Sequence, residues 1–344
     1  MTERNTRKSS SSPTGPSTTP SSRDATGSAS RLETCQDSAG GPAGTAPGFQ
    51  AGFVALLGLP NTGKSTLLNR FVGSRLSIVT SKAQTTRRRR LGIYSDEGHQ
   101  AVFVDTPGLL EPRYLLQLAM RREISTALAD ADVIVYLADA ADPVSLDRLL
   151  DLRVSRCRPR LLCINKVDTA TPLELNRWRE RVREDEWGGV FSTVATRGTG
   201  VDALRDAILG LLPPSPPLYP IEDLSAHSVR ELASDLIRQA CFERLSREVP
   251  YSIAVKIDEY RNSDGRQPVY IRAIIYVERE SQKGIVIGRN GVMVRGIGMA
   301  ARRSIEQLVE EQVYLELRVR VLANWRRRPN YLRLLGFRGL PKEN

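Results

Sequence analysis

One short loop of this sequence has the residue types and the spacing to bind a phosphate chain. The segment Gly58–Ser65 fits the pattern G-x-x-x-x-G-K-[S/T] and lies between an apolar run, Phe53–Leu57, and a helical pattern that starts at Thr66. Glycines let the backbone approach an anion closely, and the N–H groups that open a helix point toward it. Lys64 is predicted to contact the β- and γ-phosphates, and the Ser65 hydroxyl to hold Mg²⁺. The residues predicted to line this site are Gly58, Pro60, Asn61, Thr62, Gly63, Lys64, Ser65 and Thr66.

A second phosphate-facing group is predicted after the strand over Gln100–Val104. That strand is followed by Asp105, Thr106, Pro107 and Gly108. A carboxylate at the carboxyl end of a buried strand, beside a phosphate loop, lies where a Mg²⁺ site is completed. Gly108 offers a backbone N–H to an arriving γ-phosphate. These four residues therefore join the predicted nucleotide site, with Asp105 at the metal and Gly108 in a catalytic role beside Lys64.

The tetrapeptide Asn165-Lys166-Val167-Asp168, after the apolar run Leu161–Ile164, predicts the base. The Asp168 carboxylate accepts hydrogen bonds from both the N1–H and the amino group of guanine. Adenine would leave that carboxylate buried without a donor, and this asymmetry favours guanine. Asn165 is predicted to brace the loop, and Lys166 to lay its methylene stem over the purine. The predicted ligands are therefore GTP and GDP, with Mg²⁺.

In this order, the motifs resemble those of the Era family of GTPases, and the runs GLPNTGKSTLLN and QTTRR carry that likeness. The resemblance implies that Thr86 is the catalytic switch residue that closes on Mg²⁺ and the γ-phosphate, with Thr85 as the alternative. It also implies that the Ala195 N–H meets guanine O6, although Val194 stands where the family carries Ser. Asn61 resembles an asparagine that helps to hold K⁺ in relatives, and its alternative role is to stabilise the loop backbone.

Two features beside the switch bear on hydrolysis. Leu109 stands where many signalling GTPases carry a glutamine. Because a leucine cannot orient water, hydrolysis is expected to be slow without help. Arg87–Arg90 form a four-arginine run next to Thr86. This run would act as an arginine finger or form a solvated or RNA-facing cluster, and the sequence favours the cluster.

The last third of the chain has a different pattern. Residues 219–344 carry 22 basic and 16 acidic residues, which favours a polyanionic partner. Periodicity predicts a capped helix over Ser228–Leu245, strands over Tyr251–Tyr260, Val269–Val277 and Val313–Leu322, and helices over Gln282–Ile287 and Val292–Val309. The last two helices flank the turn Gly288-Arg289-Asn290-Gly291.

This element order around a G-x-x-G turn resembles a type II KH domain, and the run VERESQKGIVIGRNG again resembles the Era family. The glycines of such a turn let a sugar–phosphate backbone approach closely. The predicted RNA-binding residues are Lys283, Gly288, Arg289, Asn290, Gly291 and Arg295. The tail WRRRPNYLRLLGF would grip RNA, with Trp325 either contacting RNA or anchoring the last helix in the core.

The predicted fold class is α/β: a P-loop GTPase domain, with a mostly parallel sheet and helices on both faces, precedes a smaller α+β type II KH domain. The predicted boundaries are a disordered Ser/Thr/Pro/Gly-rich tail over 1–50, the GTP-binding domain over 51–212, a Pro-rich linker over 213–220, and the KH domain with a basic C-terminal helix over 221–344. The chain has a net charge of +11 and four widely spaced cysteines. No apolar run approaches the ~20 residues that span a bilayer. A cytoplasmic chain with reduced thiols is expected.

The resemblance covers about residues 51–340. It implies an enzyme that hydrolyses GTP to GDP and phosphate and binds small-subunit (16S) rRNA near its 3′ end, as a switch in assembly of the 30S subunit. It further implies a monomer in the bacterial cytoplasm, and it allows a peripheral contact with the inner face of the cell membrane. Two alternatives stay open: an RNA-binding scaffold whose nucleotide domain hydrolyses GTP weakly, and a GTPase that acts on tRNA.

Overall fold

Two β-sheets organise the part of the chain that the computed structural model describes, which is residues 48–80, 82–150, 158–263, 265–337 and 340. Most of the predicted tail, with Cys35, and also Cys157 lie outside these residues. The first sheet has the strand order β2-β3-β1-β4-β5-β6, in which β2 is antiparallel to β3 and the other pairs are parallel. Its strands are β1 (Gln50–Gly58), β2 (Arg90–Ser95), β3 (His99–Asp105), β4 (Val133–Asp139), β5 (Arg160–Asn165) and β6 (Val190–Thr193).

Helices cover both faces of this sheet, and one apolar core lies on each face. They are α1 (Lys64–Val72), α2 (Leu115–Asp130), α3 (Ser145–Leu150), α4 (Pro172–Arg181) and α5 (Val201–Leu209). Strands buried on both faces require continuous apolar runs, which is what β1, β4 and β5 have. The carboxyl ends of parallel strands meet at one sheet edge, where ligands bind in open α/β folds. Gly58, Asp105 and Asn165 end three of these strands, so the fold gathers the predicted motifs at that edge.

The second sheet has the order β7-β8-β9, with β8 antiparallel to β7 and parallel to β9. Its elements, in chain order, are α6 (Val229–Arg244), α7 (Val249–Ser252), β7 (Ala254–Arg261), β8 (Val269–Val277), α8 (Glu280–Ile287), α9 (Val292–Val309), β9 (Val313–Val321) and α10 (Pro329–Leu334). Ser228 and Glu231 form the predicted capping box of α6. The strand predicted to start at Tyr251 is wrong there, because Pro250 lies in the first turn of the short helix α7.

A third apolar core joins the first sheet's helix α2 to the second sheet. Leu116 and Met120 of α2 pack with Ile274 and Tyr276 of β8 and with Trp325. Trp325 has no exposed surface, and its Nε1 donates to the Ser252 carbonyl oxygen at 2.8 Å. Of the two roles considered for Trp325, the structure therefore shows the anchor and not the RNA contact.

Two residues of the four-arginine run, Arg87 and Arg90, are buried and do not form the solvated or RNA-facing cluster that the sequence favoured, whereas Arg88 and Arg89 are partly exposed. Arg87 is 6% exposed and donates to the carbonyl oxygens of Tyr251 at 3.0 Å and Ile253 at 2.6 Å. Burial, and after it the nearby Arg238 charge, lower the pKa of Arg87 to about 9. Arg90 is 4% exposed and pairs with the Asp235 carboxylate. These acceptors lie more than a hundred residues away in sequence and make the burial of Arg87 and Arg90 possible. Because both guanidinium groups are held by these partners, neither acts as an arginine finger in this conformation.

His227 lies against Arg90. Its Nε2 accepts a hydrogen bond from the Leu91 N–H at 2.9 Å. Burial, and then the charge of Arg90, lower the pKa of His227 from 6.5 to about 4, against the opposing charges of Glu231 and Asp235. The unfolded chain therefore binds a proton on this histidine at a higher pH than the folded chain. The stability that it contributes is complete above about pH 6.5 and is lost as the pH falls toward 4.

We expect His227→Gln to remove this part of the acid sensitivity, because glutamine can accept from the Leu91 N–H without titrating. Between pH 7.5 and pH 5 the wild type should lose about 2 kcal/mol more unfolding free energy than the variant. Chemical denaturation at both pH values measures this loss. His99→Gln is the control, since it removes the other histidine of the chain, whose Nδ1 lies 3.0 Å from the Asp96 carboxylate and not beside Arg90. Equal losses in wild type and His227→Gln would contradict the prediction.

The two cysteines within the described residues, Cys163 and Cys241, are buried thiols. Burial raises the pKa of each to about 12, so both stay protonated at neutral pH. In the described part of the chain, no helix combines the length and the apolar character that crossing a membrane requires.

Candidate nucleotide site and nucleic-acid interface

A cavity of about 440 Å³ opens at the carboxyl edge of the first sheet. Ten of the predicted site residues line it: Pro60, Asn61, Gly63, Lys64, Ser65, Thr66, Thr86, Thr106, Gly108 and Lys166. The segment between α1 and β2 adds Thr85, the alternative switch residue, and four residues that were not predicted to line the site, which are Ile78, Val79, Thr80 and Gln84. Gly58, Thr62, Asp105, Pro107, Asn165, Asp168 and Ala195 are not among the lining residues.

The phosphate loop is held from behind by the predicted base-binding loop. Asn165 Nδ2 donates to the Thr62 carbonyl oxygen at 2.9 Å. Gly63 has a φ of +103°, and a Cβ at this position would lie 2.3 Å from that same Nδ2. Any other residue at this position would combine a strained φ with a clash. Asn165 therefore braces the loop as predicted, and the glycine is required by this close approach.

Lys64 lies under the loop with its charge buried. Its Nζ donates to the carbonyl oxygens of Gly58 at 2.9 Å and Leu59 at 2.8 Å. Burial lowers the pKa of Lys64 to about 8, although the Asp105 carboxylate opposes this shift. A buried cation with neutral acceptors gains most from an arriving anion, because Coulomb interactions are strong where water is excluded. This position suits a phosphate-binding lysine.

Three oxygen-bearing side chains meet beside Lys64. Ser65 Oγ donates to Asp105 Oδ2 at 2.7 Å, and Thr86 Oγ1 lies 3.1 Å from both atoms. Asp105 is fully buried, and its Oδ1 has no hydrogen-bond partner among the described residues. Burial raises the pKa of Asp105, opposed by the Lys64 charge and by hydrogen bonds to the carboxylate. Hydroxyl and carboxylate oxygens are the donors that Mg²⁺ prefers, so this cluster fits the ion.

The cluster also distinguishes the two candidate switch residues. Thr86 brings its hydroxyl to Ser65 and Asp105. Thr85 instead offers its carbonyl oxygen to Arg238. Gly108 closes the opposite side, where a Cβ would lie 2.8 Å from the backbone of Pro60. The second phosphate-facing loop therefore touches the first directly.

On the base-binding side, Asn165 is held by two donors. Asn165 Oδ1 accepts hydrogen bonds from Thr193 Oγ1 at 3.1 Å and from the Ala195 N–H at 3.0 Å. The Ala195 N–H is thus hydrogen-bonded within the protein in this structure, and its role as a donor to guanine O6 stays a prediction. Ala195 and Thr193 fix the side chain that braces the phosphate loop.

Lys166 lines the cavity, whereas Asp168, two residues further along the chain, does not. Lys166 Nζ contacts the Asn61 carbonyl oxygen at 2.6 Å and Asp139 Oδ2 at 2.7 Å, which fixes its stem above the loop. Asp168 is partly exposed, and its Oδ2 lies 3.6 Å from Arg197 Nη2. Sequence reasoning missed Asp139, although its position at the end of the apolar strand β4 is a signal of the same kind as that of Asp105.

The second sheet carries the predicted G-x-x-G turn between α8 and α9. Gly288, Asn290 and Gly291 have φ values of 74°, 50° and 76°. Glycine adopts this region without cost, and asparagine is among the residues that tolerate it best. Arg289, within the turn, and Arg295, on α9, are both exposed. Lys283, on α8, is paired with Glu280 at 3.5 Å.

A groove of about 540 Å³ extends from this turn between α9 and the edge strand β9. Helix α9 lines it with Val294, Arg295, Gly298, Met299 and Arg302, and β9 lines it with Val313, Tyr314, Leu315 and Leu317. Met299 is 53% exposed and Tyr314 is 60% exposed. Exposed apolar and aromatic side chains beside arginines suit unstacked bases and their phosphates. Only Gly291 and Arg295 of this lining had been predicted, because which α9 residues face β9 depends on the packing.

These two sites define the class of the protein: a P-loop GTPase domain followed by a KH domain. Family comparisons agree with that class. The pattern of a family described as 50S ribosome-binding GTPase matches residues 53–166, and that of the KH domain matches residues 248–326.

The similarity extends through both parts of the chain. GTPase Era of Leuconostoc citreum is 40% identical over 296 residues, which is 84% of this chain and 97% of that protein. A crystal structure of an Aquifex aeolicus Era variant bound to GDP·AlF4⁻ is 35% identical, with a TM-score of 0.79 over 84% of this chain and 99% of that one. A crystal structure of Era in complex with MgGDPNP and nucleotides 1506–1542 of 16S ribosomal RNA is 36% identical, with the same TM-score and coverage. The chain belongs to the GTPase Era family.

Proposed function

We propose that this chain hydrolyses GTP to GDP and phosphate and binds the 3′ region of 16S rRNA, as a GTP-dependent switch in assembly of the small ribosomal subunit. The observation that carries the proposal is the meeting of Ser65, Thr86 and Asp105 within 3.1 Å in a chain that also presents an open basic groove. Support comes from the relative whose structure holds MgGDPNP and nucleotides 1506–1542 of 16S rRNA.

The residues of the nucleotide site have separate roles in the proposed reaction. The Ser65 and Thr86 hydroxyls and the Asp105 carboxylate would hold Mg²⁺, which neutralises charge on the phosphates when it is bound. Lys64 supplies a fixed charge to the β- and γ-phosphates, and the Gly108 N–H faces the γ-phosphate. Leu109 packs against the apolar core of the first sheet, so it orients no water, and slow intrinsic hydrolysis is expected. A K⁺ ion at Asn61 stays a prediction.

The groove of the second sheet would take single-stranded RNA. The glycine turn admits the sugar–phosphate backbone, and the exposed faces of Met299 and Tyr314 offer surfaces for bases. Arg295 and Arg302 on α9 place positive charge along the same groove. Of the original alternatives, a tRNA-related role has no separate support in these sites.

Arg295→Gln tests the groove. We expect the variant to bind an oligonucleotide spanning nucleotides 1506–1542 of 16S rRNA about tenfold more weakly. The slope of log affinity against log salt should fall by about 0.7, because one phosphate contact is lost on a single strand. GTP hydrolysis without RNA should be unchanged.

Arg303→Gln is the matched control, because Arg303 is also exposed on α9 but does not line the groove. Filter binding at several salt concentrations gives both quantities. Equal RNA affinities for Arg295→Gln and Arg303→Gln would contradict the assignment of the groove. Wild-type chain that bound the RNA but hydrolysed no GTP would favour the scaffold alternative. The monomeric state, cytoplasmic location, membrane contact and domain boundaries stay predictions.

A further inference from the structure

Helix α6, in the second part of the chain, is buried on two faces. One face carries Ala233, Ile237 and Cys241, which belong to the apolar core of the second sheet. The other face carries Asp235 and Arg238, which are 7% and 8% exposed. Polar side chains this deeply buried need partners. Their partners lie in residues 82–90, which we call the switch segment.

The switch segment is attached to α6 at three places. Lys82 Nζ donates to the carbonyl oxygens of Phe242 and Leu245 at the end of the helix. Arg90 pairs with the Asp235 carboxylate. Between them, Arg238 donates to the Thr85 carbonyl oxygen through Nη1, and its Nη2 lies 2.8 Å from Asp235 Oδ1. The helix therefore holds both ends and the middle of the segment.

The middle attachment, at Thr85, lies one peptide bond from the cluster formed by the Ser65, Thr86 and Asp105 side chains. The carbonyl that Arg238 holds belongs to the peptide group that joins Thr85 to Thr86. Thr86 in turn places its Oγ1 at 3.1 Å from Ser65 and Asp105. Because a peptide group is planar and rigid, fixing its oxygen restricts the position of the next residue.

The charges explain how Arg238 is held. Asp235 touches two guanidinium groups, Arg90 and Arg238, and all three side chains are nearly buried. Burial alone would raise the pKa of Asp235, but the two arginine charges outweigh it and lower that pKa to about 2. The carboxylate is therefore ionised at neutral pH. It orients the fork of Arg238 while the other nitrogen reaches Thr85.

We infer that Arg238, oriented by Asp235, is a positioning residue for GTP hydrolysis: from the RNA-binding part of the chain it holds Thr86 where the switch hydroxyl meets Ser65 and Asp105. The inference rests on the proposed function and adds to it. It makes α6 part of the nucleotide site's support. Since α6 and α9 share one core, it also places this support next to the helix that lines the RNA groove.

Arg238→Met in the full-length chain tests this inference. The substitution keeps Asp235 paired with Arg90, so the charge balance is better preserved than in Asp235→Asn, which would leave two buried guanidinium groups without a carboxylate. We expect kcat for GTP hydrolysis to fall about tenfold, because a small displacement of a site group has a large kinetic effect. The Mg²⁺ concentration for half-maximal rate should rise severalfold, while GDP affinity stays within about threefold of wild type.

Two further variants complete the experiment. Arg238→Lys keeps the charge but replaces the two-nitrogen fork with a single nitrogen, so its kcat should lie between those of Arg238→Met and wild type, and it serves as the test if the Met variant does not fold. Arg230→Met is the matched control, because Arg230 is exposed on the first turn of α6 and donates to the Asp258 carbonyl oxygen instead of to the switch segment. Its kcat and Mg²⁺ dependence should equal those of wild type.

The outcomes separate a positioning role from a structural one. Arg238 variants that unfold at a lower temperature, yet keep the kcat and Mg²⁺ dependence of wild type, would overturn the inference and leave the proposed function intact. A wild-type chain that does not hydrolyse GTP would overturn the proposed function, and this inference with it.

Discussion

Lys64→Ala should reduce kcat/KM for GTP hydrolysis by about a thousandfold. The wild-type Nζ lies under the phosphate loop, 2.9 Å and 2.8 Å from two loop carbonyl oxygens, and burial has already lowered its pKa to about 8. An arriving phosphate chain would place negative charge beside this buried ammonium group. Alanine removes both the charge and the contacts that shape the loop. Phosphate release from GTP, followed under single-turnover conditions, measures the loss.

The matched control for this prediction is Lys256→Ala. Lys256 lies on β7 of the second sheet, so its loss removes the same formal charge away from the cavity. Thermal unfolding of both variants shows whether either loses the fold. A folded Lys64→Ala protein that hydrolysed GTP at the rate of the control would remove Lys64 from the mechanism.

Asp168→Asn should exchange the base specificity of the site. The Asp168 carboxylate is partly exposed. In the proposed complex it accepts from two guanine donors. An asparagine amide turns one of these acceptors into a donor, which opposes the guanine amino group but pairs with the C2 carbonyl of xanthine. GTP affinity should fall roughly 100-fold or more, and XTP affinity should rise in its place.

Competition against a fluorescent GDP analogue measures both affinities. Asp185→Asn removes an exposed carboxylate that belongs to none of the predicted nucleotide motifs, and it should leave the preference for GTP unchanged. An Asp168→Asn protein that still preferred GTP over XTP would show that another group reads the base.

Local sequence patterns predicted most of the elements of the fold. The apolar run Phe53–Leu57 predicted a strand that the structure extends to Gln50–Gly58, and the capping box at Ser228 marked the start of α6. These features depend on neighbours in sequence, so periodicity and capping chemistry reveal them. Ser65 and Asp105 also met as expected, because the loops that follow parallel strands share one sheet edge. Thr86, which the resemblance implied, joins them.

Sequence patterns were insufficient where a contact with a residue distant in sequence determines the structure. Arg87 and Arg90 were predicted to be solvated or RNA-facing, but the carbonyl oxygens of Tyr251 and Ile253 and the Asp235 carboxylate make their burial possible. The hydrogen bond from the Ala195 N–H to Asn165 Oδ1 also joins residues that are 30 positions apart. Local composition contains neither of these contacts.

The central claim is that the γ-phosphate of a bound guanine nucleotide controls the RNA affinity of the basic groove of the second sheet. The most direct test is the affinity of the full-length chain for the 1506–1542 segment of 16S rRNA, measured with Mg²⁺ and either GDPNP or GDP. The account predicts binding at least tenfold tighter with GDPNP, which corresponds to about 1.4 kcal/mol of coupling free energy. Equal affinities in the two nucleotide states would contradict it.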